Sequence, residues 1–417
     1  MPKSKKRKED NSRLQKIEKA QHKNEFLLRL EKLCNDITGS NVFQLIPRDQ
    51  LEDIYKLRNH PIRVIEGEGQ KIPNDILQET KSMVLDVFKH RRVPLDIGNV
   101  SSISLYDFFT VGFTLMLYGT RINEVDFPGA TEVKSKLNPL VSIADGPIYN
   151  SVWREYLTMM HLMSVVMSDL QLGLYALKHT KRELIKGHIG LFFCMEIYRA
   201  ETEQIKFTLD GSSRPAFRLG WFLDENIGKI DFIKVESEKL NLPDGKTFDV
   251  YIQSHAFARL QERIDGVTPG FLHFSIYDSF KNLKVAKNKK GELLCEFALI
   301  DKKVGYFVGQ ILDGKLLLKT FLFLTNNGTP EGEKLHKHTG LMKEDKIYLS
   351  IDKFSSFINS DIVTNPIVKD IFIKAGCESL FKVDEAVFLA PKGMFEKIPM
   401  AENIKKYLKL GHDIPSL

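Results

Sequence analysis

Apolar residues recur along this chain with two different periods, and the change between them falls near residue 200. Before it, from Arg48 to about Lys186, the spacing is helical. Ser12 opens an earlier helix in which Ile17, Leu27, Leu28, Leu30, Leu33 and Ile37 stand among dense charge, with Gly39 as its end. Asp75 to His90 carries Ile76, Val84, Leu85, Val87 and Phe88, and Pro94 should stop that run. Leu105 to Tyr118 is almost wholly apolar, which places it at the centre of a helical domain. Ile148 to Thr180 reads as the longest helix of that domain.

After residue 200 apolar and polar residues alternate over short runs. Gln204 to Leu209, Ala216 to Leu223 and Lys229 to Val235 are separated by turn-forming stretches at 210–213 and 224–228, and the last two runs make a hairpin. Phe248 to Ile252 reads as a strand, followed by a helix from His255. Pro269 to Asn282 reads as a second helix with Thr268 at its N-cap. Three strands follow, Leu293 to Ile300, Val304 to Leu312 and Leu316 to Leu324, joined at Asp301-Lys302-Lys303 and Asp313-Gly314-Lys315. Thr329-Pro330 opens another helix, Lys346 to Ile351 reads as a strand, and later helices include Ser360 to Gly376. The expected class is α+β: a disordered basic tail (1–11), a helical domain (12–187), a β-hairpin segment (188–246), a small antiparallel-sheet α+β domain (247–345) and a helix-and-strand extension (346–417).

Charge alters this picture at one end only. The 417 residues carry a net charge of +6, and Lys3, Lys5, Lys6, Arg7 and Lys8 supply five positive charges, so the rest is close to neutral. That excludes a general nucleic-acid coat and leaves a short basic arm, with Lys5, Lys6 and Arg7 as candidate phosphate contacts. Lys281, Lys284, Lys287, Lys289 and Lys290 form a second basic group, with the last four as candidate phosphate contacts. It can bind phosphate, with Tyr277 or Phe280 stacking on bases, or it can be a solvated hairpin tip. Cys34, Cys194, Cys295 and Cys377 are far apart and lack metal-ligand spacing, which suits free thiols in a reducing compartment. The basic start runs into charge instead of an apolar leader, and no apolar stretch suits a bilayer. A cytoplasmic protein with no membrane partner is expected.

Several motifs lead nowhere. His336 and His338, two apart on a helix, point about 200° from each other and cannot share an ion. Gly67-Glu68-Gly69 lacks a third glycine and a strand–helix setting, and reads as a turn. Met159, Met160, Met163 and Met167 read as core packing. No phosphate loop, nucleophile elbow or His-Glu-x-x-His run occurs, so neither a metal nor a cofactor is expected.

The stretch from Ser254 to Ile264 is the most informative. His255, Arg259, Glu262 and Arg263 fall at i, i+4, i+7 and i+8 on one helical face. Such a stripe can bind a phosphate backbone, assist proton transfer beside it, or form a salt-bridged surface in which Glu262 pairs with Arg259 and His255 caps the helix. His255-Ala256-x-x-Arg259-x-x-Glu262-Arg263 resembles the signature of small bacterial domains allied to the RelE and BrnT toxins. The order strand, helix, helix, three strands over about 247–330 is similar to theirs. The Gly that usually follows Glu-Arg is displaced here by Ile264-Asp265-Gly266. The resemblance implies a RelE-like topology in a prokaryotic or phage protein, and RNA binding or metal-independent RNA cleavage. His255 would then be the acid or base, Arg259 and Arg263 phosphate clamps, and Lys319 with His336 or His338 would complete the site. A non-enzymatic interaction or scaffold protein, docking another protein through the same fold, is the competing expectation. RNA or DNA, or a protein, are the partners these readings imply.

Overall fold

The computed structural model describes residues 3–183, 191–209, 211–222, 229–243, 245–383 and 399–411. The chain forms two compact units, Met1–Ser164 with Leu177–Tyr198, and Val165–Ala176 with Arg199–Leu417.

The first unit opens with α1 (Lys3–Thr38), a single helix that takes in most of the run expected to be a disordered tail. No Gly or Pro interrupts it, and Lys, Arg and Glu are good helix formers. Gly39, at φ +63°, ends it in the left-handed conformation. Then come α2 (Arg48–Leu57), β1 (Arg63–Glu66), α3 (Asn74–His90), β2 (Arg92–Ile97), β3 (Val100–Ser104) and α4 (Leu105–Asp107). A π turn at Phe108–Gly112 leads to α5 (Phe113–Arg121), α6 (Ala130–Val141), α7 (Pro147–Met167), β4 (Leu174–Glu183) and β5 (Leu191–Ala200).

The unit is therefore not purely helical. β1, β5 and β4 form a sheet in that order, with β1 parallel to β5, and β2 pairs with β3. The helix expected from Ile148 to Thr180 breaks at Met167, and the chain re-enters as a strand after Gly173 at φ +141°. Leu174 to Leu177 is buried throughout, and a short continuous apolar run carries no period to separate buried strand from buried helix. Leu105, Phe108, Phe109 and Leu115 are at most 1% exposed, which puts the 105–118 run in the core as expected. Phe109 meets Tyr156 at 5.3 Å and Phe193 at 5.5 Å between ring centroids, and the Tyr156 hydroxyl lies 2.8 Å from His179 Nδ1.

The second unit is built on one large mixed sheet. Its strands are β6 (Gln204–Leu209), β7 (Ser212–Arg218), β8 (Gly220–Phe222), β9 (Ile230–Phe232), β10 (Lys234–Glu236), β11 (Thr247–Gln253), β12 (Val285–Lys287), β13 (Leu293–Leu299), β14 (Lys302–Leu312) and β15 (Lys315–Phe323). Between β11 and β12 lie α8 (Ser254–Arg263) and α9 (Pro269–Lys281). After β15 come α10 (Pro330–Thr339), α11 (Lys343–Tyr348), α12 (Ser355–Ile358), α13 (Pro366–Lys374) and α14 (Ala401–Gly411). The sheet runs β12-β13-β14-β15-β11-β7-β6, with β10 alongside β11. β11 is parallel to β15 while β12 to β15 form an antiparallel meander. The strands β6, β7 and β10, expected as a segment of their own, extend this sheet. β8 and β9 make the anticipated hairpin pair.

Alternation divides the sheet into two faces. Phe297, Phe307 and Phe321 point to one and stack on each other, and Phe280 of α9 covers Phe307. Tyr306, Val308 and Thr320 point to the other. There Glu331 of α10 meets the Tyr306 hydroxyl at 3.1 Å, and Phe207, Ala216, Tyr251 and Leu317 form a smaller apolar cluster.

Three local expectations fail in this unit, the first being the helix read from Ser360 to Gly376, which begins only at Pro366 as α13 with Asn365 as its cap. Lys346 to Ile351 is not a strand: α11 covers its first half, with Ile347 and Tyr348 exposed and Lys346 buried. Asp345, at the third position of that helix, accepts from the Met342 amide at 2.6 Å and fixes its start. The β13–β14 turn lies at Ile300 and Asp301, both at positive φ, one residue earlier than the Asp-Lys-Lys run suggested. Thr268 does precede α9, without a capping bond from its side chain. Among the described residues no helix is long and apolar enough to cross a membrane.

Gly270 in the first turn of α9 marks a close approach of helix to backbone. A Cβ there would stand 1.9 Å from the Val165 carbonyl oxygen and 2.4 Å from that of Ser168. Gly270→Ala is expected to destabilise the second unit by about 1–3 kcal/mol, read as a lower urea midpoint. An unchanged midpoint would mean that α9 does not pack against this turn.

A candidate polyanion-binding cleft

The face of the sheet opposite α9 is only partly covered, and the remainder is an open cleft of about 1030 Å³ in the second unit. Its floor is Val308 and Gln310 of β14 with Lys319, Thr320 and Leu322 of β15. A bulge shapes that floor. Val308 lies opposite Thr320 and Gly309 opposite Leu318, so Lys319 has no partner on β14. The extra residue lets Lys319 and Thr320, adjacent in sequence, both line the cleft.

One wall is the tip of the β12–β13 hairpin. Asn288 organises it, its Oδ1 accepting from the Lys290 amide at 3.0 Å and the Glu292 amide at 2.9 Å. Gly291 completes the turn at φ +78°, and Lys287, Lys289 and Lys290 project exposed from this frame. The opposite wall is the 327–330 loop leading into α10. Thr329 caps the helix by accepting from the Gly332 amide at 2.9 Å. Lys346 is 1% exposed and holds the loop from beneath, donating to Asn327 Oδ1 at 2.5 Å and to the Gly332 carbonyl at 3.0 Å. Burial pulls the Lys346 ammonium down to about 8 despite the charge of nearby Glu333. His255, in the first turn of α8, and Arg214 of β7 close the remaining sides.

The electrostatics are one-sided. Five cationic side chains (Arg214, Lys287, Lys289, Lys290 and Lys319) line the cleft against two carboxylates, Glu292 and Glu333. Both carboxylates are engaged: Glu333 with Lys289 at 2.6 Å, and Glu292 with Lys319 at 3.6 Å. Lys289 beside it and the Gly328 amide hold the Glu333 carboxyl below the usual range. Arg214, Lys287 and Lys290 have no carboxylate within ion-pair distance among the described residues, and Arg214, Lys287, Lys290 and His255 are exposed.

The expected catalytic set is thereby split. His255 and Lys319 meet at the cleft, but Arg259, Arg263 and His336 do not line it. Arg259 pairs with Glu262 at 2.5 Å on the α8 surface. Arg263 is 9% exposed and forms a buried ion pair with Asp352, itself 2% exposed. Eight residues of helix turn Arg263 about 80° away from His255, into the stripe that α8 buries through Ala256 and Leu260. His336 points its Nδ1 at the Leu341 carbonyl, 3.0 Å away. Asp265 accepts from the Ser355 amide at 2.9 Å and its hydroxyl at 2.7 Å, tying the end of α8 to the C-terminal segment, and Gly266 turns the chain at φ +81°.

Of the basic candidates, Lys287, Lys289 and Lys290 line the cleft and Lys284 does not. Lys5, Lys6 and Arg7 fall in the first turns of α1, and their side chains lie outside the described residues. Tyr277 and Phe280 cannot stack on bases, being 3% and 1% exposed in the core. Arg214 and Thr320 were missed. Arg214 falls between the turn read at 210–213 and the strand read from Ala216, and only the pairing of β7 into the sheet places it. Among the described residues no group of His, Cys, Asp or Glu could hold a metal ion. Family models, curated proteins and solved structures were compared with the chain, and none matches it.

Two outcomes follow for the groups beneath the site. Arg263→Ala should cost about 3–5 kcal/mol by leaving Asp352 buried and unpaired, a loss visible in urea unfolding. An effect below about 1 kcal/mol would place that pair in solvent. For Lys346, the folded value near 8 lies below the ordinary lysine value of 10.5, so the unfolded chain holds more protons between them. Stability should therefore rise with pH from about 8 to 10.5, relative to Lys346→Met, by roughly 1–3 kcal/mol. A difference that is flat or falls over that window would contradict the burial of a charged lysine.

Proposed function

We propose that the second unit binds RNA through its phosphate backbone in the cleft, in a RelE-like domain that holds its ligand without cleaving it. The observation that carries this reading is the convergence of Arg214, Lys287, Lys290 and Lys319 from separate segments on one open concave surface. Each strand of a nucleic acid presents a regular row of anions, and multiple lysines and arginines release its counterions on binding. Support also comes from the order strand, two helices and meander, with the first strand parallel to the last, which fits the resemblance carried by the His255 stretch. Among the described residues the lining includes no Phe, Tyr or Trp, so recognition is of the backbone and independent of sequence.

Cleavage remains the second reading because His255 stands beside the same surface as Lys319. It is the weaker one. Arg259 and Arg263, the clamps it requires, are taken by Glu262 and Asp352. A scaffold function would leave the cleft empty of nucleic acid altogether.

Fluorescence anisotropy with a labelled 20-nucleotide single-stranded RNA separates the three. Arg214→Glu/Lys287→Glu/Lys290→Glu in the full chain should weaken binding by about 30-fold or more and lower the slope of log Kd against log salt by about 2. Lys284→Glu should have little effect. Equal affinity in the triple variant and the unaltered chain would move binding to the Lys3–Lys8 run or remove it. If cleavage is also seen, His255→Ala should reduce it by about 10²–10⁴-fold while leaving binding unchanged.

A further inference from the structure

A second site lies in the first unit, where α2 and α5 enclose a cavity of about 250 Å³. Its walls are mainly apolar, supplied by Ile54, Leu57, Phe113, Leu117 and Ile122. Two polar atoms on residues lining it, Asn59 Oδ1 and the Tyr118 hydroxyl, are buried without a hydrogen-bond partner among the described residues. Buried polar groups are seldom left so, and each costs about 1–3 kcal/mol unsatisfied.

The local backbone explains why Asn59 is held this way. In the π turn the Phe113 amide reaches back to the Phe108 carbonyl, which leaves the Phe109 carbonyl without its ordinary helical donor. Asn59 Nδ2 donates to Phe109 O at 2.7 Å, and the Asn59 amide donates to Thr114 Oγ1 at 3.0 Å. With Nδ2 and the backbone committed, and the residue 4% exposed, Oδ1 is left as a buried acceptor without a partner on a residue of the cavity wall. Burial, with Asp126 nearby, raises the Tyr118 hydroxyl well above its usual value and keeps it a neutral O–H. At about 30 Å³ per water, the volume suits a ligand of on the order of ten non-hydrogen atoms.

We propose that this cavity is a binding site for a compact, neutral, mainly apolar molecule whose N–H or O–H donates to Asn59 Oδ1, an indole- or phenol-like compound. The apolar walls take its ring, Asn59 and Tyr118 fix its orientation, and Arg121 and Asp126 stand at the same cavity for any polar substituent. The site is separate from the RNA reading and does not depend on it.

Indole and indene test it, because they share a shape and differ in the N–H. In saturation-transfer NMR and calorimetric titrations of the full chain, indole should bind saturably with a Kd below about 1 mM. Indene should bind about tenfold or more weakly, because it leaves the Asn59 oxygen unpaired. Leu117→Trp should fill the cavity and abolish indole binding without lowering Tm. Absence of saturable indole binding, equal affinity for indene, or indole binding that survives Leu117→Trp in a folded protein overturns the proposal. The indole-to-indene ratio on the unaltered chain decides the matter if the tryptophan variant fails to fold.

Discussion

The second unit depends on one pairing, that of β11 with β15. Asp249 to Ile252 lies parallel to Lys315 to Leu318, so the chain leaves the sheet after β11 through α8 and α9 and returns through the β12–β14 meander to reach β15. A parallel connection of this kind cannot be a tight turn, so the intervening chain supplies α8, α9 and the meander. The pairing also sets the chemistry. β11 runs directly into the helix that begins Ser254-His255, and β15 bulges at Lys319 immediately beyond its paired segment. The imidazole and the ammonium are brought to one surface by a register of four residue pairs, although they are far apart in sequence.

What surrounds that surface is held by buried charge. Arg263 with Asp352 fixes the far end of α8, and Lys346 holds the loop that starts α10. Neither can reach the cleft, and both are of the kind that is costly to break once its partner is buried. The cations that do reach it stand on a hairpin tip, a bulge and a strand, where little else constrains them. This division is the physical reason for assigning Arg263 to stability and for proposing the lysines of β12–β13 and β15 as the binding residues.

The α+β region was the most legible part of the sequence. The strands from Leu293 to Phe323 are short apolar runs bounded by turn residues, Asp313-Gly314 supplies positive φ at both turn positions, and Thr268-Pro269 and Thr329-Pro330 mark helix starts. The first unit was less so. β1 has four residues and finds its partner at Cys194 to Ile197, a separation that no local period records. The same holds for the site: His255 and Lys319 were visible as residue types. The capture of Arg263 depends on a carboxylate 89 residues away, and Arg214 enters only through sheet pairing. Helical spacing put Arg259 and Arg263 on one stripe, but it could not weigh which side of that stripe faces the core.

The central claim is that the cleft, and not the basic first turns of α1, carries RNA. Photocrosslinking of the full chain to 4-thiouridine-substituted single-stranded RNA, followed by mass spectrometry of the attached peptides, tests it most directly. Crosslinks should concentrate in peptides covering 212–216, 285–293 and 316–322, and they should fade as unlabelled RNA is added. Crosslinks confined to the first sixteen residues, or evenly scattered over both units, would contradict the account.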